Sequence, residues 1–249
     1  MSTQSAPLPA LPLYRLLPRL SVASRTDVRR LAQDGAITVN GVVELDANRV
    51  VDPSRDEVRI GGVDVREIAA LPPLHFVLHK PVGVVTTARD PESRRTVFDL
   101  LPPALRRARA VGRLDRDSSG ILFFTTDGVL GHSVAAGRSV AKVYEVEVNG
   151  APDDARFDAI RAGIRLDDGA PCEPAEIECI DRRERSTLVR VTLREGRYRQ
   201  IRRSMQRIGL RVRALHRVAI GPLAIGDLAP AAHRMLIEDE VAALARVTR

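Results

Sequence analysis

The run Gly112-Arg113-Leu114-Asp115-Arg116-Asp117-Ser118-Ser119-Gly120 passes directly into Ile121-Leu122-Phe123-Phe124-Thr125-Thr126 and stops at Asp127-Gly128. An apolar run of this length, closed by a turn dipeptide, is a strand bound for burial. The chain must therefore build a core around this strand while leaving the polar loop before it at the strand's end. That arrangement aims a loop carboxylate from rigid scaffolding. The same residues also suit a solvated loop whose Asp side chains cap turns, and spacing alone leaves both readings open.

Strand-like runs around it predict an α+β domain with a mainly antiparallel sheet: His75–His79, Val82–Thr87, Val143–Val148, Leu188–Leu193 and Val212–Leu215. Asn149-Gly150 and Asp168-Gly169 mark further turns. Helices are predicted over Asp153–Ala162 and Tyr198–Ile208. In the latter, Ile201, Met205 and Ile208 form an apolar stripe that leaves Arg199, Arg202, Arg203 and Arg207 off it, a basic helix suited to RNA.

Ahead of this domain lies a smaller module. Residues 1–10, small and interrupted by proline, read as a disordered tail. Leu11 to Ala23 suggests a short or broken helix around Pro18. Ser24 is placed to cap a helix from Arg25 to Gln33, with Val28 and Leu31 buried and Arg25, Arg29 and Arg30 projecting elsewhere; Gly35 ends it. Asn40-Gly41 between β-formers is a hairpin signal, because a type I′ turn needs positive φ at both positions. Strands at Arg49–Val51 and Glu57–Ile60 complete a module over 11–65. Residues 66–73 read as a linker, 74–243 as the second domain and 244–249 as a C-terminal tail.

Charge narrows the partner. With 39 Lys and Arg against 32 Asp and Glu, the net charge of +7 favours a polyanion such as nucleic acid. Only Lys80 and Lys142 among these cations are lysine. The two cysteines, Cys172 and Cys179, fit neither a zinc knuckle nor a redox pair, and a reducing cytoplasm is the expected setting. The N-terminal stretch, broken by Pro7, Pro9 and Pro12, does not read as a secretory signal, and no apolar run is long enough for a membrane span.

The loop from Gly112 to Gly128 closely resembles the signature of pseudouridine synthases of the small-subunit and large-subunit type B branch: Gly-Arg-Leu-Asp, two variable residues, Thr, one variable residue, Gly, an apolar strand and Asp-Gly. Ser118 replaces the Thr and keeps its hydroxyl. The resemblance spans residues 14–240. Lys142-Val143-Tyr144 matches a Lys-x-Tyr strand, and Glu195-Gly196-Arg197-Tyr198-Arg199-Gln200-Ile201-Arg202-Arg203 a third family segment. The module with Ser24-Arg25 and Val39-Asn40-Gly41 resembles the S4 (αL-like) RNA-binding domain of that branch. Three departures are His79, where Asn is common, Ser204, where Met usually follows the Arg pair, and Ala136-Gly137, where His-Pro is frequent.

The resemblance implies a fold and a chemistry. Asp115 becomes the catalytic aspartate, Tyr144 the residue packed against the target base, and Arg202 the basic partner of Asp115. Arg25, Arg29, Arg30, Arg113, Lys80, Lys142, Arg199 and Arg203 become RNA contacts. Both lysines fall at family positions, where a compact ammonium rather than a planar guanidinium is expected to be required. Pseudouridine formation breaks the bond from ribose C1′ to uracil N1, turns the base and rejoins it through C5. A carboxylate can attack C1′, attack the base or abstract a ribose proton, and the sequence does not choose among these. No cofactor or metal is implied.

The implied substrate is ribosomal RNA, free or in a partly assembled subunit, and the implied state a monomer. Thr86-Thr87-Ala88-Arg89-Asp90-Pro91 resembles large-subunit enzymes and Glu195-Gly196-Arg197-Tyr198 the small-subunit branch, with the large subunit favoured. Two rivals stand beside this. One is an inactive S4-type assembly protein. The other is a glycosidase using Asp115 and Asp117, though two carboxylates so close on one loop poorly match the flanking geometry such enzymes need.

Overall fold

The computed structural model describes residues 9–136 and 139–248. Most of the expected tail over 1–10 therefore lies outside the described residues. The chain forms two units, one made of the segment up to Pro73 together with Thr126–Gly128, the other of Leu74–Thr125 and the segment from Val129 onward.

In the first unit, β1 (Leu11–Pro12) leads into α1 (Leu13–Arg19), whose last turn contains Pro18. Ser24 caps α2 (Arg25–Gln33) as predicted, its Oγ accepting from Asp27 N at 3.0 Å. Val28 and Ala32 form the buried stripe of α2. Asn40 and Gly41, at φ 52° and 81°, join β2 (Ile37–Val39) to β3 (Val42–Val43). The strand β4 (Val50–Val51) pairs with β1, while β5 (Val58–Ile60) and β6 (Val63–Asp64) extend the β2–β3 hairpin into a four-stranded sheet. The segment expected as a linker is mostly helix: α3 (Val65–Ala70), capped by the Asp64 carboxylate accepting from Arg66 N at 2.7 Å. Its periodicity is too short to separate from a polar connector.

The second unit is built on one mixed sheet. Its strands are β7 (His75–Lys80), β8 (Arg109–Val111), β9 (Ser119–Thr125), β10 (Lys142–Asn149), β11 (Glu176–Arg182), β12 (Ser186–Leu193), β13 (Val212–Ile220), β14 (Leu223–Ala224) and β15 (His233–Met235). The spatial order is β11-β12-β10-β13-β9-β7-β15, with β14 on β13 and β8 on β9. Among the described residues, every pairing in this sheet is antiparallel except β13 with β9. The apolar run of β9 is explained by cover on both faces. Ile121 and Phe123 join Val77, Leu130, Val134 and Leu244 on one side; Leu122 and Phe124 join Phe76, Leu78 and Val97 on the other. Phe124 stacks on Phe76 with centroids 4.9 Å apart.

Among the described residues, α4 (Gly128–Ala136), α5 (Asp158–Arg161), α6 (Gln200–Arg207) and α7 (Glu238–Val247) cover the sheet. Helix α7 carries the body past the expected boundary at 243, because Leu244 is wholly buried. The predicted helix over 153–162 is a 3-10 turn followed by the single turn α5. Val82–Thr87 is not a strand; it makes one bridge, Val85 to Thr96, and otherwise hydrogen-bonds to the loop before β9. The unpredicted β11 lies at a sheet edge, where Glu176, Glu178 and Asp181 keep the open side charged.

Candidate active site

The loop between β8 and β9 is fastened at three points. Gly112, at φ 70°, turns the chain out of β8. Thr86 Oγ1 donates to Leu114 O at 2.8 Å, Gly83 N donates to Arg116 O at 2.8 Å, and Lys80 Nζ donates to Ser118 O at 2.7 Å. Within the loop, Ser118 N closes a turn onto Asp115 O at 3.1 Å. The backbone on both sides of Asp115 is thus held, and its carboxylate remains directed into an open cavity of about 360 Å³. That volume falls within the roughly 300–1,000 Å³ of small-molecule sites.

The opposite wall comes from β10 and β13. Tyr144 pairs in register with Arg217, whose guanidinium carbon lies 5.9 Å from the tyrosine ring centroid. Both line the cavity with Asp115, Ser118, Lys142 and Arg199. The parallel contact of β9 with β13 brings these walls together and demands Gly120. A Cβ there, on a backbone with φ +120°, would lie 2.2 Å from Arg217 O. Beside this crossing, Ser119 Oγ and His216 Nδ1 are 2.9 Å apart. Burial, then the neighbouring His79 charge, holds the His216 imidazole below its ordinary value.

The basic partner differs from the expectation. Arg199 Nη1, not Arg202, lies 3.6 Å from Asp115 Oδ2. Arg199 also forks onto Asp117, with contacts of 2.9 and 2.8 Å. Arg202 turns to Asp117 too, its Nη2 donating to the backbone oxygen at 2.7 Å and its Nε lying 3.2 Å from Oδ2. The Arg199 hydrogen bonds hold the Asp117 carboxyl below the usual carboxylate range. The reason for the exchange is local: Arg199 adopts a left-handed conformation (φ 48°, ψ 33°) just before α6, so helical spacing does not describe its direction.

Two other residues expected at the RNA, Lys80 and Arg203, meet protein groups in this structure. Lys80 is fully buried, its Nζ donating to Ser118 O and, at 2.9 Å, to Pro81 O, so it supports the loop from behind. Burial pushes its ammonium down to about 8, against the opposing pull of Asp115 and Asp117. Arg203 is engaged by Asp167 and Asp168. Lys142 is half-buried on the cavity wall and Arg113 is exposed beside it. On the first unit, Arg25, Arg29 and Arg30 are exposed on α2, with Arg29 and Arg15 over the Tyr14 ring.

Two cavity residues escaped sequence reasoning. Arg217 was hidden because a lone Arg in a strand gives no periodic signal. Tyr198, 71% exposed at the cavity, could have been found as an isolated aromatic in a basic segment. Among the described residues, no group of three His, Cys, Asp or Glu is placed to hold a metal ion, and no helix is long and apolar enough to cross a membrane.

The family described as RNA pseudouridylate synthase matches residues 75–207, the stretch that contains this loop and both arginines. The chain belongs to that family. As a pseudouridine synthase it is an isomerase, turning uridine in RNA into pseudouridine. It is 34% identical over 236 residues to an uncharacterized RNA pseudouridine synthase of Mycobacterium leprae, covering 93% of this chain and 91% of that protein. It is 32% identical to the ribosomal large subunit pseudouridine synthase B of Bacillus subtilis, over 92% of this chain and 93% of the relative. The protein of the same name from Shigella flexneri is 36% identical over 86% of this chain and 74% of its own length. In fold, the chain is similar to a solved pseudouridylate synthase with a TM-score of 0.68, at 24% identity, covering 94% of this chain and 99% of the other.

Proposed function

We propose that this synthase isomerises one specific uridine in large-subunit ribosomal RNA, with Asp115 as its catalytic carboxylate. The observation that carries the reading is the placement of the Asp115 carboxylate at the cavity that holds the face of Tyr144. A uridine must leave its stack to be rearranged, and an aromatic wall in a cavity of this size suits an extruded base. Asp115 stands at the ribose side of such a base. It acts either by adding to C1′ or the base, or by taking a ribose proton. Arg199 keeps the carboxylate oriented and adds positive charge beside it.

The choice of large-subunit RNA rests on the relatives named for that activity, which match along most of their own lengths. An S4-type role is proposed for the first unit. Its exposed arginines on α2 supply phosphate contacts that carry no sequence information but add affinity. Ribosomal RNA as substrate implies a cytoplasmic enzyme.

Pseudouridine mapping of both ribosomal RNAs tests this. Cells lacking the protein are compared with cells restored by wild type or Asp115→Asn. Loss of one large-subunit pseudouridine, restored by wild type alone, is the expected result. A small-subunit site moves the substrate to the other subunit. An unchanged map with defective ribosome assembly overturns the catalytic reading in favour of an RNA-binding assembly protein.

A further inference from the structure

Tyr144 is bordered by two cations. Lys142 precedes it by two residues on β10 and therefore shares its face of the sheet. Arg217 is its register partner on β13. All three line the cavity that Asp115 faces. Among the described residues, neither cation forms an ion pair. Lys142 Nζ reaches only Val140 O, at 3.5 Å. Arg217 is 3% exposed; its Nε donates to Ile121 O at 2.9 Å, and its Nη2 is buried without a partner.

Such a wall is costly. A buried guanidinium with no counter-charge loses hydration without recovering it in attraction. Burial and the Arg217 charge together hold the Lys142 ammonium below the ordinary lysine value. Asp115 and Asp117 do not offset this, since Arg199 and Arg202 already take up their charge. Two unpaired cations beside an aromatic face are suited to negative charge that arrives with the base.

We propose that Lys142 and Arg217 stabilise the negative charge that uracil acquires when its bond to ribose breaks. The inference rests on the reading of this cavity as the site where a uridine is isomerised. In the two routes in which Asp115 acts on the ribose, the C1′–N1 bond breaks and its electron pair stays on N1, delocalised onto O2 and O4. The deficiency at C1′ is met by addition of the carboxylate or by loss of a ribose proton. The base then turns, C5 bonds to C1′ as any group added there departs or the ribose proton returns, C5 loses its proton, and N1 takes one up. All atoms are retained and nothing is oxidised. Turning uracil about its C6–N3 axis exchanges N1 with C5 and also exchanges O2 with O4. A fixed cation beside one oxygen before the turn is therefore beside the other afterwards, so the same wall serves both halves of the reaction. Charge-directed groups preorganised in this way lower the barrier without reorganising during the step.

The test compares single-turnover cleavage of the N-glycosidic bond in RNA carrying uridine or 5-fluorouridine at the target position. Fluorine withdraws electrons and makes the departing base a weaker base, less dependent on outside stabilisation. For Lys142→Met and Arg217→Met we expect a loss on the order of 100-fold with uridine, a loss at least about tenfold smaller with 5-fluorouridine, and RNA affinity within about threefold of wild type. Lys142→Arg, which keeps the charge but not the compact ammonium, is expected to recover only part of the rate. Equal losses on the two substrates overturn the proposal. So does a loss confined to RNA affinity with a shallower salt dependence, which would place the cations on a phosphate instead. If Arg217→Met does not fold, the half-buried Lys142→Met decides alone. A folded wild type that converts no uridine brings down the functional reading itself, and this inference with it. If wild type is active and Asp115→Asn is not, an unfavourable substrate pattern removes only the role of Lys142 and Arg217.

Discussion

Arg199 grips Asp117 through both carboxylate oxygens, at 2.9 and 2.8 Å, while the same guanidinium lies 3.6 Å from Asp115. The second carboxylate of the loop thus acts as the anchor that fixes where the cation meets the first. Asp117 is a positioning residue in this arrangement: it reaches the cavity chemistry through Arg199 and Arg202.

Asp117→Asn is therefore expected to lower the single-turnover rate by roughly 10- to 100-fold, as misplacement of a positioned group does, while RNA affinity changes little. Arg199→Lys, which keeps a charge but loses the fork, is expected to fall with it. Single-turnover kinetics at saturating enzyme check both. A rate unchanged in Asp117→Asn overturns the anchoring role.

Gly120 and Gly112 both have positive φ, yet their tolerance is expected to differ. At Gly120 an added Cβ meets Arg217 backbone at 2.2 Å, and at Gly112 it meets nothing within 4 Å. Gly112→Ala is expected to cost about 1–2 kcal/mol, the ordinary strain of a left-handed residue. Gly120→Ala adds a backbone clash to backbone strain and is expected to cost more than about 3 kcal/mol or to prevent folding. Urea unfolding measures the difference, and equal costs would contradict the close crossing of β9 and β13.

Lys80 links stability to pH with a defined sign. Its ammonium titrates at about 8 in the folded protein, against 10.5 for the ordinary side chain. Between those values the unfolded chain binds the extra proton, so stability rises with pH. The unfavourable contribution is full below the folded value and is relieved as pH climbs from about 8 toward 10.5. Wild type is expected to gain stability relative to Lys80→Met over that window; a difference constant with pH would refute the linkage. Because Nζ also holds Ser118 O, Lys80→Met is expected to lose about tenfold or more in rate.

The arginines of α2 are expected to govern affinity and not chemistry. Replacing Arg25, Arg29 and Arg30 by Ala is expected to weaken RNA binding and flatten its log–log salt dependence by about 0.7–0.9 for each phosphate that is no longer neutralised. The rate at saturating enzyme is expected to stay at the wild-type value. Binding titrations across salt concentrations check the slope, and an unchanged slope would remove α2 from the RNA interface.

Much of this molecule was legible in its residues because the signals were local. Ser24 caps α2 through a bond to a residue three positions away. Asn40-Gly41 made its hairpin because few dipeptides tolerate positive φ twice. The apolar run after Gly120 could only be a buried strand. Val82–Thr87 misled for a physical reason: its β-formers flank Gly83, at φ 91°, and its polar groups are claimed by the loop over 114–116 instead of a neighbouring strand. Helix α4 and the edge strand β11 carried no clear periodic pattern.

Local pattern was enough for the α+β class and for the loop that carries Asp115, since each follows from a short stretch, whereas Tyr144 was singled out by the resemblance of Lys142-Val143-Tyr144 to the family's Lys-x-Tyr strand. The partners were set by the fold. Asp117 meets Arg199 across 82 positions, Lys80 meets Ser118 across 38, and Arg217 meets Ile121 across 96. Those meetings depend on the antiparallel pairing of β7 with β9, on the parallel crossing of β9 and β13, and on one left-handed residue before α6. No periodicity encodes them, because which side chains converge at a cavity is set by how strands from distant segments pair, not by the spacing of residues within any one of them.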